Sequence, residues 1–467
     1  MLLVLGFLKK NIIFSSTNLL ERFFMQLVIW ISRIFVGVLF IFSGFIKAND
    51  ALGFSYKLEE YFEKFASIFN EHSLGFLAPP MEWMAHIALP LAIVIVVFEM
   101  VLGVLTLIGA FMPKVSKYLL IMIVFFTFLT FVSWYFEIVK TCGCFGEAIP
   151  LTPFQSFIKD LILLSMIVVL FTFRKNITSL CTSNGDKISL WSSTVICTLF
   201  TLYCYQHLPV LDFRAYAPGS SIKKGMEIEK GNPLTMYKLK NKGNGIVISF
   251  ADFPADYPAN WDWIEPEIVD GELTLIEIKV KATGQVTKVL AVPNEFKEEW
   301  EVVSTSTENF VPDKDAKIQQ LHAFYYKDRE TDYIQMMLDH PDHYFWLVIR
   351  DFSDLGEFKQ ADDGLHFMPN SAGKSFAKHL NKLYKDAKRS SVKLHALTGE
   401  ASYEKIESFK HSLALGFEFY DCDDTELKTM IRSSPGLLLL KADTVVAKWH
   451  NNDFDTFEEI NNQYINK

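Results

Sequence analysis

His207-Leu208-Pro209-Val210-Leu211-Asp212-Phe213-Arg214 is where the sequence changes character. Before it the chain runs in long Leu/Ile/Val/Phe blocks; after it charged residues recur every few positions. Pro209 and then Pro218-Gly219 mark a linker rather than more helix, because proline lacks the amide hydrogen a helix needs. This break is the main domain boundary. The 467 residues leave room for two or three domains. Half of them are apolar and 42 are Phe, a composition weighted towards membrane segments. The net charge is -9 and no basic stripe carries interleaved aromatics, which argues against a nucleic-acid partner. Six cysteines are too few for a disulfide framework.

Upstream of the break, five apolar segments approach the roughly 20 helical residues needed to cross a hydrocarbon core about 30 Å thick. They are 27–46, 84–111, 118–139, 154–173 and 190–206, the fifth being the shortest. Lys9, Lys10 and Arg22 precede the first span, Lys114 and Lys117 separate the second from the third, and Arg174, Lys175 and Lys187 separate the fourth from the fifth. Alternating spans put all three groups on one side, which the positive-inside rule makes cytoplasmic. The loop 48–83 also holds basic residues, but Asp50, Glu59, Glu60, Glu63 and Glu71 accompany them. The loop around Thr141 and the whole tail are therefore expected outside, in the periplasm of a Gram-negative cell. No small-residue cleavage site follows the first 24 residues, and translation from Met1 and from Met25 both stay open.

The loop between the third and fourth spans reads Lys140-Thr141-Cys142-Gly143-Cys144-Phe145-Gly146-Glu147. Two cysteines bracketing a glycine, on the oxidising side of a membrane, suit thiol–disulfide exchange, which needs an accessible sulfur and a backbone that tolerates both redox states. Lys47 at the end of the first span, Glu137 at the end of the third, and Lys159 and Asp160 at the start of the fourth are placed to tune the thiols. The competing reading is a buried or inert pair in a turn, or one that binds adventitious metal. A zinc site is disfavoured, since no histidine or second pair accompanies the cysteines. Arg33 and Glu99 lie inside the first and second spans at similar depth, which leaves a pair open; the two readings are a structural ion pair between helices and a proton or quinone site. Cys181 falls in a cytoplasmic loop. Cys197 and Cys204, seven apart, share one face of the fifth span and are expected to pack.

Downstream of the break come short β-like runs at 234–238, 246–250, 273–280 and 285–292, with an aromatic and proline-rich loop at 253–263. They suggest a small, mainly β module over 208–317. From Ile318 the pattern changes to a buried strand around 344–349, a helix at 373–387, a strand at 392–397, a helix at 403–415, the run 416–420, a short helix at 426–432, strands at 437–440 and 444–449, and a closing helix at 454–464. Asn370-Ser371-Ala372-Gly373-Lys374-Ser375 looks like the end of a phosphate-binding loop, but Met368 stands where its first glycine belongs, so no nucleotide site is expected. His322, His340, His343 and His379 show no ligand spacing, and no metal is expected.

Two resemblances extend this reading. Ile41-Phe42-Ser43-Gly44-Phe45-Ile46-Lys47 followed by a Glu-bearing second span resembles the DoxX family, and Cys142-Gly143-Cys144-Phe145-Gly146 before a fourth span resembles the related MauE branch. The resemblance covers residues 25–175. It implies a four-helix membrane domain with a part in disulfide formation, and the segment 176–207 adds a cytoplasmic loop and a fifth helix. The order of elements over 318–467, with Pro435 before a two-stranded hairpin, resembles the thioredoxin-like fold. That implies a cis peptide bond at Pro435, beside the place of the active site. The expected Cys-x-x-Cys is missing: Asp351-Phe352-Ser353-Asp354 follows the first strand, and Cys422 is the tail's one cysteine. The combined expectation is a multi-domain protein of the inner membrane, with an α-helical bundle of about five spans and a periplasmic region holding a β module and an α/β thioredoxin-like domain. Its expected role is thiol–disulfide exchange or electron relay through Cys142 and Cys144 with an envelope protein as partner. No cofactor is identified, and a quinone stays open as electron acceptor. The alternative is a non-catalytic scaffold whose tail binds a partner. A transporter has little support, because the spans hold few polar residues.

Overall fold

The computed structural model describes residues 19–72, 75–136, 145–243, 245–251, 261–269, 271–281, 284–292, 297–311, 313, 315–362, 364–400 and 402–466. Five of its helices are long and apolar enough to cross a membrane. They are α1 (Leu19–Asn49), α3 (Ala88–Ile108), α4 (Met112–Tyr135), α5 (Pro153–Thr172) and α6 (Ser183–Gln206). The expected fifth span starts several residues too late, because Thr182 caps α6 by accepting from Gly185 N at 3.2 Å. Large apolar side chains stay exposed around these helices, among them Ile34, Val38, Ile121, Phe128 and Leu199, while Val36, Ala92, Leu119 and Ile167 fill the interior. A helix that is apolar on all sides needs lipid on one of them.

Helices α1 and α3 pack along one another. Gly37 and Gly103 permit this: a Cβ at Gly103 would stand 2.9 Å from the Gly37 carbonyl oxygen. Small residues at such crossings bring two membrane helices into backbone contact.

The segment expected as a loop at 48–83 is largely helical. Asp50 caps α2 (Ala51–Glu71), its carboxylate accepting from Gly53 N at 2.9 Å, and a further helix covers Ala78–His86. Phe54, Leu58, Tyr61 and Phe62 are buried on one side of α2, which is amphipathic. The second span accordingly begins at Ala88 rather than 84.

The described residues divide into two compact units, one running up to Ser220 and resuming at His322, the other Ser221–Leu321. The second unit is an antiparallel sheet in the order β3-β1-β2-β5-β4-β6, made of β1 (Leu234–Asn241), β2 (Val247–Phe250), β3 (Trp261–Val269), β4 (Gly271–Val280), β5 (Val286–Val289) and β6 (Trp300–Phe310). Leu239, Ile248, Trp261, Ile278, Val289 and Trp300 form its core. Of the loop expected at 253–263, residues 253–260 lie outside the described residues, while Trp261 opens a strand.

The tail of the first unit is built on a mixed sheet of β7 (Phe324–Tyr325), β8 (His343–Ile349), β11 (Lys393–Thr398), β12 (Glu418–Asp421), β13 (Gly436–Lys441) and β14 (Thr444–His450). A hairpin of β9 (Gly356–Ala361) and β10 (Gly364–Pro369), unforeseen in the sequence, is inserted after β8. The sheet order is β14-β13-β8-β11-β12-β7. Strands β8, β11 and β12 run parallel, while β13 is antiparallel to both β8 and β14. Strand β8 is buried on both faces, which is why its sequence shows no alternation. Helices α7 (Ser371–Arg389), α8 (Tyr403–Ser412) and α9 (Asp424–Met430) belong to this part, with short helices at Ile334–Leu338 and Phe457–Ile460. The Ser434–Pro435 peptide bond is cis.

Candidate functional site

Cys142, Cys144 and Glu137 lie outside the described residues. The next residue in the chain, Phe145, is buried, with its ring 5.6 Å from that of Phe42. Lys159 Nζ stands 5.4 Å from the centre of the Phe145 ring.

Phe145 helps to line a cavity of about 20 Å³ among α1, α3, α4 and α5 that is edged by charged side chains. Lys47 Nζ donates to Glu99 Oε1 at 3.0 Å, to Glu99 Oε2 at 2.8 Å and to Ser43 Oγ at 2.7 Å. These contacts use all three hydrogens of the ammonium. Asp160 is paired with Lys159 and accepts from Thr130 Oγ1 at 3.0 Å. Lys47, Glu99 and Asp160 are each less than 5% exposed. Charges buried this deeply persist when paired and hydrogen-bonded, as these are.

The pairing left open between Arg33 and Glu99 does not occur. Arg33 Nε donates to the carbonyl oxygens of Thr106 and Leu107, both at 3.0 Å, and Nη2 donates to Leu107 O at 2.7 Å. Its guanidinium also lies 4.7 Å from the Trp30 ring. Arg33 thus satisfies the last carbonyls of α3, where a cation suits the helix dipole. Similar depth in two spans did not reveal which faces met. Glu99 turns towards Lys47, the residue expected to tune the cysteines.

A second group of charges joins the bundle to the tail. Arg432 Nε donates to Asp50 Oδ1 at 2.9 Å and to Oδ2 at 3.1 Å. The Tyr56 ring is approached by Lys428, Arg350 and Arg432 at 5.1, 5.3 and 5.6 Å from its centre. Asn49 Nδ2 donates to Leu211 O at 2.7 Å, and Leu211 N donates back to Asn49 Oδ1 at 2.9 Å. Asp212 receives Arg214 and Lys448, each at 2.8 Å.

These contacts set the charge states. Burial raises the Asp50 carboxyl, but Arg432 outweighs it and holds the group below its usual range. Asp212, between two cations, is held far lower, again against burial. Burial and the neighbouring Arg214 bring Lys448 down to about 7 despite its bond to Asp212, because one carboxylate serves two buried cations. The protein packed around Glu147 pushes its carboxyl up, against Arg432 and Arg214, although part of the side chain stays open to solvent.

The end of β8 and the loop before β13 meet at this junction, with Arg350 N donating to Ser434 Oγ at 3.1 Å. Just after β8, Phe352 is buried and stacks on Phe409, their ring centres 4.1 Å apart. Cys422 is a free, buried thiol, pushed well up by burial and by Glu426 and Asp423. Cys181, Cys197 and Cys204 are also free thiols, exposed, half-buried and buried in turn. Among the described residues, no group of three or more His, Cys, Asp or Glu side chains is arranged to hold a metal ion.

The partners Lys47–Glu99 and Asp50–Arg432 went unseen in the sequence. Their signals were Lys47 and Asp50 at or just beyond the end of the first span and Glu99 inside the second, with nothing to name a distant partner.

No solved structure matches the chain. Protein TlpB of Flavobacterium psychrophilum is 31% identical over 142 residues, which are 30% of this chain and 35% of that protein. The chain therefore covers well under two thirds of that relative's length. The family described as methylamine utilisation protein MauE matches residues 25–173, the segment that holds α1 to α5 and the buried charges. The chain is a multi-pass membrane protein whose residues 25–173 are similar to the MauE family.

Proposed function

We propose that this protein exchanges thiols and disulfides at the outer face of the inner membrane, with Cys142 and Cys144 as the exchanging pair. One observation carries the reading: the Cys-Gly-Cys-Phe-Gly stretch falls inside the MauE-matched segment, and its Phe145 borders a cavity ringed by buried charges. The likeness of the Ser43-Gly44 and Glu99 region to the DoxX family supports it.

In the reaction, a thiolate of an envelope protein attacks one sulfur of a Cys142–Cys144 disulfide, forming a mixed disulfide and freeing the other sulfur. A second thiol of the partner then resolves the mixed disulfide. The partner leaves with a new disulfide, and the pair is left as a dithiol holding the two electrons and two protons the partner has lost. A membrane quinone takes up those two electrons and two protons, becoming a hydroquinone and restoring the Cys142–Cys144 disulfide. The thioredoxin-like tail, which lacks its own exchanging pair, positions the partner from the periplasmic side.

A scaffold role is the second reading. It is favoured by the tail, where Phe352 fills the place of reactive cysteines and Cys422 is buried. Trapping separates the two. A full-length Cys144→Ala or Cys142→Ala variant, recovered from cells under acid quench, is expected to carry an envelope protein in a reducible adduct through the remaining cysteine. Absence of any reducible adduct from both variants contradicts the exchange reading.

A further inference from the structure

We propose that the helix Ala78–His86 lies in the headgroup layer of the membrane, on the side where the tail joins the bundle, with Phe76 and Trp83 set into the boundary between the headgroups and acyl chains of phospholipids. The inference stands apart from the exchange reading.

The helix sits at the right depth. Ile87 N donates to Trp83 O at 3.3 Å and Leu91 N donates to Ile87 O at 3.1 Å, so helical geometry carries on from this helix into α3. Trp83 therefore stands at most about 8 Å from Ala88, where α3 begins, at 1.5 Å of rise per residue. The headgroup region is about 5–8 Å deep on each side of the hydrocarbon core. Trp83 cannot leave that layer for bulk water.

The side chains suit the place. From Gly75 to His86 the titratable residues are Glu82 and His86 alone. Phe76 is 74% exposed and Trp83 62% exposed. Val94, farther along α3, is exposed as well and faces the bilayer as part of a span. The apolar surface that lipid covers on α3 thus continues to Trp83, which is the reason to name lipid as the occupant rather than a second copy of the chain or a partner protein.

The rest of the bundle shows what is missing without this helix. Aromatic side chains collect where membrane proteins cross the interface. On the tail side α4 ends on exposed Trp134 and Tyr135, and α6 ends on exposed Tyr203 and Tyr205. Helices α1 and α3 bring no such anchor there: residues 46–49 are buried, and α3 opens with Ala88-Leu89-Pro90-Leu91. Phe76 and Trp83 complete the belt on that flank. Helix α2 then links the lipid anchor to the tail, since Asp50 at its start holds Arg432.

The test is fluorine NMR of the full-length protein carrying fluorotryptophan, in phosphatidylcholine nanodiscs. Of the nine tryptophan signals, the one lost in Trp83→Phe belongs to Trp83, and Trp134→Phe assigns the signal of Trp134. A nitroxide on the lipid acyl chain close to the headgroup should broaden Trp83 about as strongly as Trp134, and more than a nitroxide at the end of the chain does. Phe76→Trp adds one signal, which should follow that of Trp83. Broadening of Trp83 by a gadolinium chelate in the water, with none from either lipid nitroxide, would put the helix in solvent and overturn the proposal. Broadening by neither reagent would mean that protein covers Trp83, and stronger broadening from the chain end would bury it in the hydrocarbon core; each of these also overturns it.

Discussion

Lys47 and Glu99 form a two-pronged ion pair between α1 and α3, with the ammonium 3.0 and 2.8 Å from the two carboxylate oxygens. Their side chains are 3% and 4% exposed. Each charge therefore depends on the other, and on Ser43, for the solvation that water would otherwise supply.

Removing one member should be far worse than removing both. Lys47→Met leaves Glu99 buried without its cation and should destabilise the bundle by about 3–5 kcal/mol. The Lys47→Met/Glu99→Met double variant should recover most of that loss, because apolar side chains suit the site. Thermal unfolding in detergent reads both. A double variant no more stable than Lys47→Met would remove the pair from the account of the bundle.

The Asp50–Arg432 contact should be coupled in the same sense but more weakly, since the Asp50 side chain is 25% exposed. Asp50→Asn and Arg432→Gln, combined in a double-mutant cycle, should show a coupling of about 0.5–3 kcal/mol. Hydrogen exchange should quicken at Gly53, whose amide Asp50 holds, and across α9, while the centre of β8 stays protected. Quickening spread evenly through β8 would mean that the whole tail, rather than its junction with the bundle, had loosened.

Lys448 and Asp212 should each make the junction more stable as pH rises, in two separate windows. Lys448 is depressed to about 7 from an ordinary value of 10.5, so between those values the unfolded chain binds a proton that the folded one has shed. Its contribution to stability therefore rises with pH across that window, by at most about 1.4 kcal/mol per pH unit. Lys448→Met should flatten this rise. Asp212 is held below its ordinary value of 3.8, so its contribution is complete above that value and fades as acid carries the pH down through the folded value. Asp212→Asn should destabilise at neutral pH, because Arg214 and Lys448 then share no carboxylate. Unfolding temperatures of both variants, followed from about pH 2 to about pH 10, check both windows.

Much of the architecture could be read from the chain. The five spans stood out because each is a long apolar run, and β8, β11, β13 and β14 because buried strands in a mixed sheet are short blocks such as Phe345–Ile349. Helix α2 was missed because its glutamates suggested a water-facing loop, although Phe54, Leu58, Tyr61 and Phe62 keep helical spacing. Strand β6 was missed because Ser304, Thr305, Ser306 and Thr307 give it no apolar alternation. The site was less legible than the fold. Lys47 and Glu99 are 52 positions apart and Asp50 and Arg432 are 382 apart, and only the packing of helices brings such residues together. Counting depth along two spans suggested Arg33 for Glu99, but depth says nothing about which face of a helix a side chain occupies.

Orientation follows from where the basic residues lie. A reporter active only outside the cytoplasm should be active when fused after Lys467 and silent when fused after Lys117. The reverse pattern would put the loop with Cys142 in the reducing compartment, where a stable disulfide does not persist.

Cys142 and Cys144 are expected to cycle between dithiol and disulfide, with function depending on that cycle. The direct measurement is thiol labelling of the native membrane protein before and after reduction, joined to complementation by a Cys142→Ser/Cys144→Ser double variant. The exchange account predicts labelling that rises on reduction, and a double variant that inserts normally yet fails to complement. A double variant that complements fully would contradict the account and leave the protein a scaffold.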